Sequence, residues 1–141
     1  MDRQYQLLIV DNNKETLTTY RRYFLQHGIF VEIAHNGVEG LEKFRKEEFD
    51  VVLIDIKMPE MNGIEMVKKI REKAINTEIV ILSEKGEGER EEAIAAINLN
   101  VSAWFEKSPE IMEDLLEKVK DLASLDEIDR LIDVLDRREE E

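Results

Sequence analysis

From Tyr5 to Leu122 the chain alternates strand-like and helix-like stretches. Two of the strand-like stretches, Val51–Ile54 and Ile79–Leu82, are unbroken apolar runs. A strand that is apolar toward both sides has to be covered on both sides. That is the condition of a parallel sheet enclosed by helices. Strands are predicted at Tyr5–Val10, Ile29–Ala34, Asp50–Ile54, Glu78–Leu82 and Val101–Phe105. Helices are predicted from Asn13 to about His27 and over Val38–Lys46, Ile64–Lys73 and Ala93–Leu99. Glu84–Glu92, with Gly86 and Gly88, reads as the loop before the last of these. The helical faces follow from spacing: Leu17, Tyr20 and Phe24; Val38, Leu41 and Phe44; Ile64, Val67 and Ile70. Ser108-Pro109-Glu110 opens a fifth helix through Ile111, Leu115, Val119 and Leu122, with Ser as cap and Pro in the first turn. A βα unit repeated five times implies a doubly wound parallel sheet with right-handed crossovers.

At 141 residues the chain is long enough for one domain with a real core. No apolar run approaches the ~20 residues of a membrane span, and Met1-Asp2-Arg3-Gln4 does not look like a secretory leader. With no cysteine there are no disulfides, thiolate metal sites or thiol nucleophiles. A cytoplasmic location is expected. The net charge of −13 opposes direct binding to nucleic acid. Residues 108–141 hold 13 acids against 5 bases, so −8 of that charge lies in the last quarter.

The last stretch is an addition to the five units. Ser124-Leu125-Asp126-Glu127 matches a capping box and predicts a further helix to about Arg137. Leu125, Ile128, Ile132 and Leu135 follow one another at intervals of 3, 4 and 3, a seam two heptads long. Residues 1–123 therefore read as the domain, and 124–141 as an extension. Its roles are open at this stage: a sixth helix packed on the domain, a dimerisation helix, or a linker to an effector domain.

Chemistry is expected where the strands end. In open α/β sheets the carboxyl ends of the strands form the ligand-binding rim. Asp11-Asn12, Asp55, Ser83 and Lys107 each follow a predicted strand. Two strands delivering acids to one edge point to a Mg²⁺-assisted phosphoryl site. A dehalogenase-type phosphatase would want a second Asp two residues beyond Asp55, where Lys57 stands. There is no Gly-x-x-x-x-Gly-Lys-Ser/Thr phosphate loop and no Gly-x-Ser-x-Gly elbow. His27 and His35 lie far from all the rim residues in the pattern.

On four stretches the chain resembles the receiver domain of two-component response regulators: Leu8-Ile9-Val10-Asp11-Asn12, Asp55-Ile56-Lys57-Met58-Pro59-Glu60-Met61-Asn62-Gly63, Ile79-Val80-Ile81-Leu82-Ser83, and Ala103-Trp104-Phe105-Glu106-Lys107. The resemblance spans about residues 5–122. It implies a flavodoxin-like (βα)5 sheet of order 2-1-3-4-5, here with an extra C-terminal helix. It further implies that Asp55 accepts a phosphoryl group from a histidine kinase, a phosphotransfer protein or a small phosphodonor. Mg²⁺ would be held by Asp11, Asp55 and the Lys57 carbonyl, with Asn12 contributing through water. Lys107 and Ser83 would contact phosphoryl oxygens, and Trp104 would be the aromatic that moves with Ser83. The resulting change would pass through the face of the fourth helix, fifth strand and fifth helix, where Ile94 and Ile97 are either surface or core. Its recipient would be an effector domain, another protein or a second copy.

Four departures accompany the resemblance. Asn12 stands where the family usually has a second acid, which predicts weaker Mg²⁺ binding. Glu84 follows Ser83 where a small residue is usual, so a carboxylate can obstruct or repel a phosphodonor. Lys107 is followed by Ser108 rather than Pro, which predicts a trans linkage there. The chain also continues past the fifth helix. The first two departures define the alternative, a pseudo-receiver that works as an interaction module without phosphorylation.

Overall fold

A computed structural model describes residues 4–139; of Asp126, Glu127, Arg138 and Glu139 only the backbone is described. Five strands, β1 (Gln6–Val10), β2 (Phe30–Ala34), β3 (Val51–Asp55), β4 (Glu78–Ser83) and β5 (Ala103–Glu106), pair in parallel in the order β2-β1-β3-β4-β5. This is the predicted order. Helices α1 (Lys14–Gln26), α2 (Gly37–Lys46), α3 (Gly63–Arg71), α4 (Arg90–Asn98) and α5 (Met112–Glu139) follow the strands in turn. A 3₁₀ turn at Pro109–Ile111 leads into α5.

Alternation along the central strands sends neighbouring side chains to two separate cores. Leu7, Ile9, Val51, Leu53, Val80 and Leu82 face α1 and α5, where Leu17, Tyr20, Phe24, Leu115, Val119 and Leu122 complete the layer. Leu8, Val10, Val52, Ile54, Ile79 and Ile81 face α2, α3 and α4. The unbroken apolar runs are therefore two interleaved core stripes. Asparagine caps position three helices: Asn13, Asn36 and Asn62 accept from the N–H groups of Thr16, Glu39 and Glu65.

Several expectations need correction. The helix predicted at Ala93 begins at Arg90, because Glu89 and Glu92 form a reciprocal capping box that the Glu-rich composition had disguised as loop. Val38, assigned to the inner face of α2, is 54% exposed, and Leu41 and Phe44 carry the packing. Ile94 and Ile97 are exposed, which removes the core alternative for both. Ser124 does not start a new helix. Its hydroxyl donates backward to Lys120 O at 2.9 Å and pairs with Tyr5 Oη at 3.0 Å. With Leu122 and Ala123 locked in the core and no breaker before Ser124, α5 runs on unbroken for 28 residues. The extension is the distal half of α5. Glu127, the acid of the expected capping box, has its side chain outside the described residues.

The β3–α3 turn is the tightest piece of this framework. Glu60 adopts φ 67°, Met61 N–H donates to Pro59 O at 2.7 Å, and Gly63 N–H donates to Ile56 O at 2.9 Å. A Cβ on Gly63 would stand 2.5 Å from Asp55 O and 2.8 Å from Ile56 Cα, both backbone atoms. Gly63→Ala is therefore expected to push the turn away from β3 and destabilise the fold by about 1–3 kcal/mol. Urea unfolding of the two proteins measures this, and an unchanged midpoint would contradict the close approach.

Candidate functional site

Because all five strands are parallel, their carboxyl ends share one rim. Asp11 follows β1, Asp55 closes β3, Ser83 closes β4, and Lys107 follows β5. Backbone hydrogen bonds fix these ends: Asp11 N to Ala34 O at 3.1 Å, Ile56 N to Leu82 O at 2.9 Å, and Lys107 N to Ser83 O at 2.7 Å. The structure brings together the four residues predicted from strand ends. Asp11, Asp55 and Ser83 are buried, and the Lys107 side chain is 9% exposed.

The Lys107 ammonium lies 2.6 Å from Asp11 Oδ2, 3.3 Å from Asp55 Oδ1 and 3.4 Å from Glu84 Oε1. Asp11 uses its other oxygen to accept from Asn13 N–H at 2.8 Å. Asp11 Oδ2 and Asp55 Oδ1 are within ion-pair range of the lysine, yet neither accepts a well-aligned hydrogen bond. The cation is therefore held chiefly by Asp11, and Asp55 is left under-compensated. Burial, then the Asp11 charge, raise the Asp55 carboxyl from its ordinary 3.8 to about 6 in spite of Lys107. Burial alone would lower the Lys107 pKa, but contact with Asp11 and the charges of both aspartates more than offset it. The ammonium is locked in its charged form.

Three features of this rim escaped the sequence. Glu87 lines the same pocket, of about 330 Å³, with one carboxylate oxygen buried and without a hydrogen-bond partner. Its only signal was membership of the Glu-rich stretch after β4. The Lys57 side chain turns away, 3.6 Å from Glu92 and 4.0 Å from Glu89 at the start of α4, so only its backbone remains for the site. Trp104 already donates its indole N–H to Ser83 Oγ at 2.9 Å. It packs beneath the β4–α4 loop, where a Cβ on Gly88 would approach its ring to 3.1 Å. An indole can only donate, so Ser83 accepts here and its own O–H stays free to donate.

Four acids (Asp11, Asp55, Glu84, Glu87) against Lys57 and Lys107 leave −2 among the residues lining the pocket when all are ionised. That field attracts a cation. Buried carboxylate oxygens lacking good hydrogen bonds are donors of the kind a hard divalent ion takes, and Asp11 and Asp55 fit Mg²⁺ in chemistry. No group of three or more acidic, His or Cys side chains placed to share one ion occurs among the described residues. His27 caps the end of α1, and His35 follows β2 without lining the pocket; their ring nitrogens meet Tyr23 O and Glu39. A larger groove of about 430 Å³ opens at the opposite rim beside Asp50, but that buried acid accepts from Gln6 N–H at 2.8 Å and serves the fold.

The family model for the response regulator receiver domain matches residues 7–120. The chain belongs to the response regulator receiver family. Like the receiver domains it resembles, it is a module of two-component signal transduction. The response regulator MprA of Mycobacterium ulcerans is 28% identical over 116 residues, 82% of this chain and 49% of that protein. An uncharacterized transcriptional regulatory protein, YclJ of Bacillus subtilis, is 32% identical over 56% of this chain and 34% of its own length. The chain thus spans about half the length, or less, of such relatives. A CheY-like receiver domain from Methanospirillum hungatei superposes with TM-score 0.83 at 30% identity, covering 90% of this receiver and 99% of that chain. TrrA of Thermotoga maritima, solved with Mg²⁺ and BeF, superposes with TM-score 0.76 at 28% identity, covering 84% and 99%. No helix among the described residues is long and apolar enough to cross a membrane.

The raised Asp55 pKa has a consequence for stability. The folded state binds this proton more tightly than the unfolded state. The stabilisation is complete below about pH 4 and lost as pH rises through about 6. Asp55→Asn cannot ionise, so in the metal-free protein it is expected to gain about 3 kcal/mol near pH 7.5, shrinking to near zero by about pH 4. Urea unfolding in the presence of a chelator measures the gain. A gain absent at the higher pH, or constant across the range, would contradict an under-compensated buried carboxylate.

Proposed function

We propose that this receiver domain is a phosphorylation-controlled switch whose phosphoacceptor is Asp55. The observation that carries the reading is the placement of Lys107 between Asp11 and Asp55 with the Ser83 hydroxyl on the same rim. A carboxylate oxygen of Asp55 attacks the phosphorus of a phosphohistidine or a small phosphodonor. The P–N or P–O bond breaks, the leaving group departs with its electron pair and takes a proton, and an acyl phosphate remains on Asp55. Water later cleaves that phosphate, returning the carboxylate and inorganic phosphate. The protein thus catalyses only its own phosphorylation and dephosphorylation.

Asp11, Asp55 and the Lys57 carbonyl would hold Mg²⁺, with Asn12 acting through water. The ion, when bound, offsets charge on the transferring oxygens. A fixed ammonium near Asp55 neutralises one phosphoryl oxygen, and the free O–H of Ser83 donates to another. The added charge of about −1.5 to −2 also repels Glu84 from Lys107. The change at Ser83 reaches Trp104 through their hydrogen bond, and from there the face of α4, β5 and α5. The donor is a histidine kinase or phosphotransfer protein. The recipient is an effector domain or a partner protein, and the acidic surface disfavours direct nucleic-acid contact.

Trp104 is the sole tryptophan, so its fluorescence reports on this site alone. Adding beryllofluoride with Mg²⁺ is expected to change the emission saturably in the wild type and not in Asp55→Asn. A small phosphodonor should label the wild type with a phosphate released by alkali and by hydroxylamine, as an acyl phosphate is. Glu84→Ala is expected to label about 3–10-fold faster, since it removes a carboxylate that competes for Lys107 and repels the donor. Absence of both labelling and emission change at millimolar Mg²⁺ would leave the phosphorylation-independent interaction module as the better reading. Its specific support is the Glu84 carboxylate already resting on Lys107.

A further inference from the structure

Helix α5 carries two apolar lines on different sides. Leu115, Val119 and Leu122 lie within about 60° of one another around the axis and point into the core. Two consecutive three-residue steps, Leu122 to Leu125 to Ile128, then swing the line by about 120°. Beyond that point the apolar residues have left the domain. Leu125, Ile128, Leu131, Ile132, Val134 and Leu135 are 48–61% exposed, all within one three-turn stretch. Among the described residues, this half of the helix meets the domain through polar groups: Ser124 pairs with Tyr5 Oη at 3.0 Å, and Arg130 lies 4.0 Å from Glu48 beside the groove at the opposite rim.

We propose that this distal half of α5 is a self-association surface, and that a second copy of the chain covers it as a short parallel coiled coil. Three observations favour that occupant. First, the seam is self-complementary: Leu125 and Ile132 take the first apolar heptad position, and Ile128 and Leu135 the second. Second, the flanking charges select a parallel pair. Asp129 and Asp136 flank the seam on one side, Ser124 and Leu131 on the other. Parallel pairing sets Ser124 against Asp129 and Leu131 against Asp136, while antiparallel pairing would set Asp129 against Asp136 twice. Third, the strip is on the order of several hundred Å². That is the size at which an exposed patch marks an interaction site, and it approaches the roughly 800 Å² per partner of a standard interface.

Two free heptads would be marginal as helices. Here the nucleus already exists, because Leu115, Leu116, Val119, Leu122 and Ala123 hold the first half of α5 on the domain. Pairing ends upward at Ser124. On the same line above it stand Asp114 and Asp121, both exposed, and the half-buried Lys118, with Glu117 beside them, and in a parallel two-fold pair each meets its own like charge. The two domains therefore splay apart, and association is weak and opposed by a charge of −13 on each copy.

The test is sedimentation equilibrium of the whole 141-residue chain. The mass is expected to rise from 16.5 kDa toward twice that value with concentration. Association should strengthen severalfold between about 50 and 500 mM salt as the acidic repulsion is screened. Ile132→Asp should weaken it at least about tenfold while leaving the urea midpoint of the domain unchanged, since Ile132 touches neither core. In a chain without cysteine, Leu135→Cys should cross-link to itself on oxidation. A monomer at all concentrations up to about 1 mM, a dimer indifferent to Ile132→Asp, or a dimer loosened by salt would overturn the proposal. So would cross-linking confined to a mixture of Leu125→Cys with Leu135→Cys.

Discussion

One ammonium between two buried carboxylates is the constraint around which this molecule is organised. Lys107 lies beside Asp11 and Asp55 at the rim, and removing it would leave two acids in a site with little access to water. Breaking a buried ion pair costs several kcal/mol, whereas replacing the whole group with apolar side chains is often neutral or favourable. Stability alone therefore does not account for the arrangement. The distances add to this. The lysine sits closer to Asp11 than to Asp55, so it is anchored by one acid while the other stays incompletely neutralised. The Asp55 carboxyl, near 6, is mostly ionised at neutral pH and destabilised in that state. A buried carboxylate short of compensation is a stronger nucleophile and a ready cation ligand.

The sheet makes this possible by keeping the three residues on separate strands. Asp11 follows β1, Asp55 ends β3, and Lys107 follows β5, with β4 between the last two and Ser83 at its end. Each is fixed by its own strand's hydrogen bonds, so the charges cannot relax away from one another. Interleaved core stripes above and below the sheet hold that frame. The tight turn at Gly63 keeps the Asp55–Lys57 segment from moving outward. Outside the strands the rim is completed by Glu84, half exposed, and the loop carrying Gly88 over Trp104. The charged triad and the adjoining loop are therefore linked through the hydrogen bond of Trp104 to Ser83.

Much of this was legible in the residues. Apolar runs and their spacing placed all five strands and five helices, because burial on both faces leaves an unmistakable pattern in Val51–Ile54 and Ile79–Leu82. Strand-end position was enough to assemble Asp11, Asp55, Ser83 and Lys107. What was not legible depends on competition between local signals and tertiary context. Ser124 carries a valid capping signal, but its hydroxyl finds Lys120 O and Tyr5 Oη, and a helix already anchored in the core continues through it. The Glu-rich stretch before Ala93 looked like loop, although Glu89 and Glu92 cap a helix there. Glu87 and the Trp104–Ser83 hydrogen bond depend on which way a loop folds over the rim, and spacing along one chain carries no information about that.

The two lines on α5 show how a single helix serves two requirements. Its first half has to follow the curvature of the sheet, and the 4- and 3-residue spacing of Leu115, Val119 and Leu122 does so. A helix that kept this phase would send its later apolar residues on past the lower rim of the sheet, on the side where the core ends. Two three-residue steps in succession move them instead to a face the domain cannot reach. Such a phase change gains nothing for a domain folding alone, since it exposes six large aliphatic side chains to water. It is accounted for only by something that covers them. Lys107 lies just before the helix, and the exposed seam begins at Leu125, about 20 Å along it from Met112 at 1.5 Å per residue. The site and the surface are thus joined by the short turn at Pro109–Ile111 and the one helix that follows it.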